Sequence, residues 1–157
     1  SSFADRYDFI LIDCPPTLGI LTINALVAAN SLLIPIQCEF FALEGLSELM
    51  ATLQRIQQGL NPKLEIEGVL LTMHDERLNL CGQISQDVRE HFGDQVFSTI
   101  VPRNVRLAES PGFGQPILLY APDSKGAGSY LELAHEISRK SLAQLPTHNS
   151  LAIGVNL

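Results

Sequence analysis

Four nearly continuous apolar runs punctuate the chain: Phe9-Ile-Leu-Ile12, Ser31-Leu-Leu-Ile-Pro-Ile36, Ile66 to Met73, and Val96 to Val101. Runs without polar alternation suit strands buried on both faces, as in a parallel sheet. Pro35 places the end of the second strand rather than its middle, because proline cannot donate to a ladder. Between the runs, apolar residues return at helical spacing. Ile20 to Ala29 reads as a short helix. Leu43, Leu46, Leu49/Met50, Leu53 and Ile56 mark one face of a helix over Ala42 to Gln58, punctuated by Gly59 and Asn61-Pro62. Leu80, Ile84, Val88 and Phe92 mark another, closed by Gly93. Tyr130, Leu133/Ala134 and Ile137 form the inward side of a last helix from about Ser129 to Leu142. A Pro-Arg-Asn turn and a long loop with Pro111, Gly112, Gly114, Pro116 and Pro122 precede that helix. Strands alternating with helices predict an α/β fold: βαβ units building a mostly parallel sheet flanked by helices.

A chain of 157 residues is one domain's worth, enough to bury about 68–70% of its unfolded surface. Residues 1–145 make up that domain. The tail, Pro146 to Leu157, lacks clear periodicity and is expected to be loosely attached. With 46% hydrophobic and 17% charged residues, the composition is globular rather than disordered. No apolar stretch reaches the ~20 residues of a membrane helix, and no basic-then-apolar leader stands at the start, so a cytoplasmic protein without a membrane partner is expected. Cys14, Cys38 and Cys81 are odd in number and far apart, which predicts buried or partly buried free thiols rather than disulfides or a zinc site. The net charge of −7 predicts no whole-molecule attraction to nucleic acid, so any such binding requires a local basic patch.

Candidate chemistry starts at Asp13, which ends the first apolar run just before Pro15-Pro16. Ligands of open α/β sheets sit at the carboxyl ends of strands. A carboxylate there suits magnesium in a nucleotide-hydrolysing enzyme, and equally suits a turn or helix cap. Met73 at the end of the third run is by type core filler as readily as a base contact. Pro102-Arg103-Asn104 is by type a turn with donors to spare. Arg77 and Arg106 carry forks able to grip phosphate, although Asp75 and Glu76 weaken the field at Arg77. Gly112-Phe-Gly114 is a lone Gly-x-Gly, and Lys125-Gly-Ala-Gly-Ser129 lacks the order of a phosphate loop and reads as a turn before a helix start at Ser129. His135-Glu136 lacks the second histidine of a zinc protease.

Several strings carry a family resemblance. Tyr7-Asp-Phe-Ile-Leu-Ile-Asp-Cys-Pro-Pro-Thr-Leu-Gly19, followed by Gln37-Cys-Glu-Phe-Phe-Ala-Leu-Glu-Gly45, resembles the ParA/Soj chromosome- and plasmid-partitioning ATPases. So do Gly68-Val-Leu-Leu-Thr-Met73, Ile100-Val-Pro-Arg-Asn-Val-Arg-Leu-Ala-Glu109 and Gly114-Gln-Pro-Ile-Leu-Leu-Tyr120, in order and correctly spaced over residues 6 to 140. The resemblance implies a P-loop NTPase-like fold with ATP and Mg²⁺ as cofactors of the complete protein. It gives Asp13 the Walker B role, holding the magnesium-bound water. It places Met73 and Pro102, Arg103 and Asn104 around the adenine, on loops that leave strand ends beside one another and beside Asp13. It makes Arg77 and Arg106 contacts to non-specific DNA in an ATP-bound homodimer, with a ParB-like partner and a nucleoid-associated location.

The sequence also departs from that family. Its N-terminal Lys-Gly-Gly-x-Gly-Lys-[Thr/Ser] loop does not occur in these 157 residues, Ala121 stands where the family has an acidic residue, and the tail from Leu145 looks unrelated. The expectation is a C-terminal part of a partitioning ATPase, missing the N-terminal strands and inactive alone. The alternative is a non-catalytic DNA- or partner-binding module derived from that family. Either way, the strand over Tyr7 to Asp13 should keep an open hydrogen-bonding edge that favours self-association.

Overall fold

The computed structural model describes residues 6–15, 17–143 and 150–155, with 141–143 and 150–155 described by their backbone alone. Strand β1 (Phe9–Cys14) leads through helix α1 (Ile20–Ala28) to β2 (Ser31–Gln37). Helix α2 (Ala42–Gly59), β3 (Glu65–His74), α3 (Asn79–Phe92) and β4 (Val96–Pro102) follow. Two short helices, α4 (Val105–Glu109) and α5 (Ile117–Tyr120), precede α6 (Lys125–Ala143) and β5 (Ser150–Val155). The strands form one sheet in the order β1-β5-β2-β3-β4, and every pair in it is parallel. The predicted α/β fold, a parallel sheet flanked by helices, is what the chain adopts.

Alternation along β2 explains the layers. Leu32, Ile34 and Ile36 are fully buried and join Leu26 of α1, Leu49 and Leu53 of α2, and Val88 of α3 in the main core. Each such side chain contributes about 1.5–3 kcal/mol by leaving water. The opposite face is covered over β3 and β4 by α6, where Leu70, Phe97, Val101 and Leu133 form a second core. Among the described residues nothing comparable covers that face of β1, where Leu11 is 75% exposed, so the first run is not buried on both faces as its apolar sequence predicted. The edge of β1 turned away from β5 has no strand partner among the described residues, so the expected open edge is present. All three cysteines are free and buried, as their spacing predicted.

Three local expectations are corrected. The tail is not loosely attached throughout: Ser150–Val155 is an inner strand, in register with β1 from Phe9↔Ser150 to Cys14↔Val155 and with β2 from Ser31↔Ala152 to Leu33↔Gly154. Two facing open edges recruit it, and a six-residue strand needs no longer periodicity. Pro35 lies inside β2, beyond the stretch that β5 pairs. The last helix starts at Lys125 rather than Ser129, since the Ser124 hydroxyl accepts the Ala127 N–H at 3.2 Å and caps it. Gly126 is needed there: a Cβ would sit 2.6 Å from Leu107 Cγ.

Helix α6 also closes the outer edge of β4. The Glu136 carboxylate accepts the Ser98 N–H at 2.8 Å, the Thr99 N–H at 3.0 Å and the Thr99 hydroxyl at 2.7 Å. Partial burial pushes this carboxyl upward, but the donors of Ser98 and Thr99 together outweigh burial and hold it below its ordinary value. A depressed folded value stabilises fully above the unfolded one, about 4.3, and the benefit fades as pH falls through the folded value. Glu136→Ala is expected to lose about 1.5–3 kcal/mol in urea unfolding at neutral pH. The gap from the parent should narrow below about pH 4. Equal midpoints for parent and variant at neutral pH would show that this contact does not close the edge.

Candidate functional site

The carboxyl ends of β2, β3 and β4 open into a pocket of about 610 Å³. Met73, Pro102, Arg103 and Asn104 all line it, so the structure brings together the four residues singled out for the base. Register explains this: His74 lies opposite Pro102, and the Arg103 N–H donates to the His74 carbonyl at 2.9 Å, lacing the two loops together. Leu33 and Pro35 of β2 and Leu70 and Val101 form an apolar floor. The walls include three residues that sequence reasoning did not assign: Gln37, Thr72 and Tyr130. Gln37 opened a quoted motif and Tyr130 stood on the inward face of the last helix, but neither signal says pocket.

Met73 departs from ordinary strand geometry. Its φ of 53° is the one positive value at a non-glycine among the described residues. A side chain in the left-handed region costs about 1 kcal/mol or more and persists where surroundings impose it, often at ligand sites. Asn104 is fixed differently: its side-chain oxygen accepts the Arg106 N–H at 2.9 Å and caps α4. That cap leaves its amide N–H groups as donors.

Asp13 sits at the carboxyl end of β1, exposed and with no side-chain hydrogen bond or ion pair to the described residues. It shares the rim with the pocket but does not lie beside it. Strand β5 stands between β1 and the near wall on β2, a separation of two strand spacings or roughly 10 Å, and Met73 on β3 is three spacings away, roughly 14 Å. Only a ligand laid along the rim touches both. An exposed, unengaged carboxylate fits a hydrated magnesium ion, which takes one or two protein oxygens and fills its shell with water and phosphate.

Arg77 and Arg103 lie on the two neighbouring loops beyond β3 and β4, and Arg106 lies in α4 just after the second, each paired with a carboxylate. Arg77 donates Nε to Asp75 Oδ1 at 2.8 Å and Nη2 to Oδ2 at 2.6 Å, and its backbone N–H adds a third bond at 3.1 Å. This fork holds the Asp75 carboxyl well below the usual carboxylate range. Arg106 donates Nη1 to Glu109 Oε2 at 2.9 Å, and the Tyr120 hydroxyl donates to the same oxygen at 3.1 Å. Arg103 donates to Glu39 at 3.0 Å. The rim therefore carries arginines whose charge is locally compensated. A second depression, of about 650 Å³, lies between α6 and the edge of β4 and is lined by Ser98, Thr99 and His135. It surrounds the structural Glu136 contact and gathers none of the residues singled out for chemistry.

A parallel sheet flanked by helices, with a ligand-sized pocket on its carboxyl rim, defines an α/β domain, and its likeness to solved structures is P-loop NTPase-like. A solved structure of cobyrinic acid a,c-diamide synthase from Mycobacterium smegmatis, with bound ADP and magnesium, superposes with a TM-score of 0.65 at 33% identity, covering 85% of this chain and 48% of that one. The AAA domain family matches residues 1–66. The chromosome partitioning protein ParA of Myxococcus xanthus is 56% identical, over 91% of this chain and 50% of its own length. The sporulation initiation inhibitor protein Soj of Bacillus subtilis is 57% identical, over 85% and 53%. The chain belongs to the ParA/Soj family of P-loop ATPases, and it spans about half the length of the curated relatives it matches.

Proposed function

We propose that this chain supplies the base-binding rim and the DNA-facing arginines of a ParA-type ATPase for chromosome or plasmid partitioning, as the C-terminal part of a longer protein. The pocket that gathers Met73, Pro102, Arg103 and Asn104 carries this reading. Adenine is flat and apolar with a polar edge. The floor from Leu33, Leu70 and Val101 suits its face, and the Asn104 amide suits its edge. Asp13 would hold magnesium through a water, at the phosphate end of a nucleotide laid along the rim. The ion would neutralise phosphate charge there. In the complete protein, ATP would promote a homodimer on non-specific DNA in the cytoplasm, and a ParB-like partner would stimulate hydrolysis and release.

The 157 residues contain no Gly-x-x-x-x-Gly-Lys-[Ser/Thr] run to cradle the phosphates, so negligible hydrolysis is expected from this chain alone. Titration with adenosine, ADP and ATP, together with a phosphate-release assay, tests both parts. Adenine compounds should bind weakly, with no release above background. Met73→Ala should weaken adenosine binding about fivefold through lost apolar contact. Ligand-induced shifts confined to the Glu136 depression would remove the pocket from consideration. Phosphate release that disappears in Asp13→Ala would overturn the expected inactivity. The non-catalytic DNA- or partner-binding module is favoured by the outward position of Arg77, 85% exposed. DNA binding without nucleotide, lost in Arg77→Ala/Arg106→Ala, would support it.

A further inference from the structure

We propose that Asp75 and Glu109 are built-in competitors of the DNA backbone: they hold Arg77 and Arg106 in neutral pairs that a phosphate must open before it binds. This rests on the DNA-binding reading above. The atoms at issue are the same in both partners. Arg77 offers Nε and Nη2 side by side, the edge that grips two oxygens of one anion, and both already point at Asp75 at 2.8 and 2.6 Å. Asp75 cannot drift away, because its Oδ1 also accepts the Arg77 backbone N–H and its side chain is 12% exposed. Glu109 is likewise anchored, since the Tyr120 hydroxyl donates to the oxygen that Arg106 uses. An ordinary surface pair of two freely moving side chains offers little resistance to a competing ion. A pair with one carboxylate fixed to its own backbone turn or to a tyrosine re-forms at once and lowers the effective charge shown to DNA. The protein's net charge of −7 sharpens this, because attraction must come from these few positions.

The substitutions can be made without disturbing the fold. Asp75→Asn keeps an oxygen for the Arg77 N–H, and Glu109→Gln keeps one for the Tyr120 hydroxyl, while each removes the charge. Glu76→Gln is the control, because it removes the same charge next door without touching an arginine pair. Binding of the 157-residue chain to a short random-sequence DNA duplex is measured by fluorescence anisotropy over a series of sodium chloride concentrations. Asp75→Asn and Glu109→Gln should each bind about five- to tenfold more tightly than the parent at low salt, and Glu76→Gln less than twofold. The gain should vanish when Arg77→Ala or Arg106→Ala is added to the matching variant. If the parent binds and Asp75→Asn binds equally, more weakly, or no better than Glu76→Gln, the competitor role is wrong while the DNA reading stands. If no form binds, including Asp75→Asn/Glu109→Gln, these arginines make no DNA contact in this chain without nucleotide, and the competitor role is wrong.

Discussion

Deletion of residues 146–157 is expected to abolish cooperative unfolding of this chain, the largest effect of any change considered. Strand β5 lies within the sheet, and β1 reaches β2 only through it. Its ladder runs along the whole of β1 and along Ser31 to Leu33 of β2. Each inter-strand hydrogen bond contributes about 0.5–1.5 kcal/mol net. A ladder of this length is therefore comparable with the 5–15 kcal/mol that separates a folded domain from its unfolded chain. Removal would also leave buried backbone groups unpaired on both sides of the gap, which costs more than the bonds themselves. Thermal unfolding followed by near-ultraviolet circular dichroism, with dye binding to report exposed apolar surface, is the check. The truncated chain should show a broad, early loss of signal and self-association. Ile153→Pro separates backbone pairing from chain length: it removes the one N–H at the position opposite Ile12 and Leu32, and should give a milder form of the same defect. A sharp transition within a few degrees of the parent, from a monomeric truncated protein, would show that β1 and β2 close without β5.

That strand also marks the limit of what the sequence discloses. Strands β2 to β4 and helices α2 and α3 are legible because each buries a long apolar set whose spacing repeats, and β1 and α1 are legible from apolar runs that the fold leaves partly exposed. Strand β5 is short, contains Gly154, and owes its place to two open edges distant in the sequence. Helices α4 and α5 are too brief to show a period, and the Asn104 cap that starts α4 looks like any turn residue. The start of α6 is hidden because two glycines argue against helix locally, while contact with Leu107 requires a small residue at Gly126.

Legibility at the site divides the same way. Met73 and Pro102 to Asn104 meet because β3 and β4 are neighbours joined by one helix, a relation the order of elements predicts. Their separation from Asp13 follows from β5 entering the sheet, which no local pattern reports. Asp75 was visible as a neighbour of Arg77, but the three-donor geometry that ties them depends on the bend after β3. The Arg106–Glu109 pair is an ordinary i,i+3 contact, yet its anchor at Tyr120 belongs to the next short helix.

Gly68→Ala is expected to lower stability by about 3 kcal/mol, at the upper end of the usual cost of overpacking. For a chain of this size that corresponds to roughly 6–12 °C in Tm. Gly68 is buried in β3 where its pairing with β2 shifts register between Leu32 and Leu33. A Cβ there would lie 2.5 Å from Phe97 Cε2, 2.7 Å from its Cζ and 3.0 Å from the Gln95 carbonyl oxygen. Neither neighbour yields easily. The Gln95 oxygen is backbone, and Phe97 is fully buried against Leu70, Val101 and Leu133. Those three residues also line the pocket, so displacing Phe97 disturbs the surface on which a base would rest. Gly68→Ala should therefore weaken adenosine binding as well as lower Tm. Phe97→Leu in the same chain provides the decisive comparison. It leaves a cavity and destabilises alone, but it gives the new methyl group room, so the double variant should lose less than the sum of the two. A coupling of about 1–3 kcal/mol in that direction identifies steric conflict as the cause. Strict additivity would place the cost in the strand backbone instead and free Phe97 from any role in shaping the pocket.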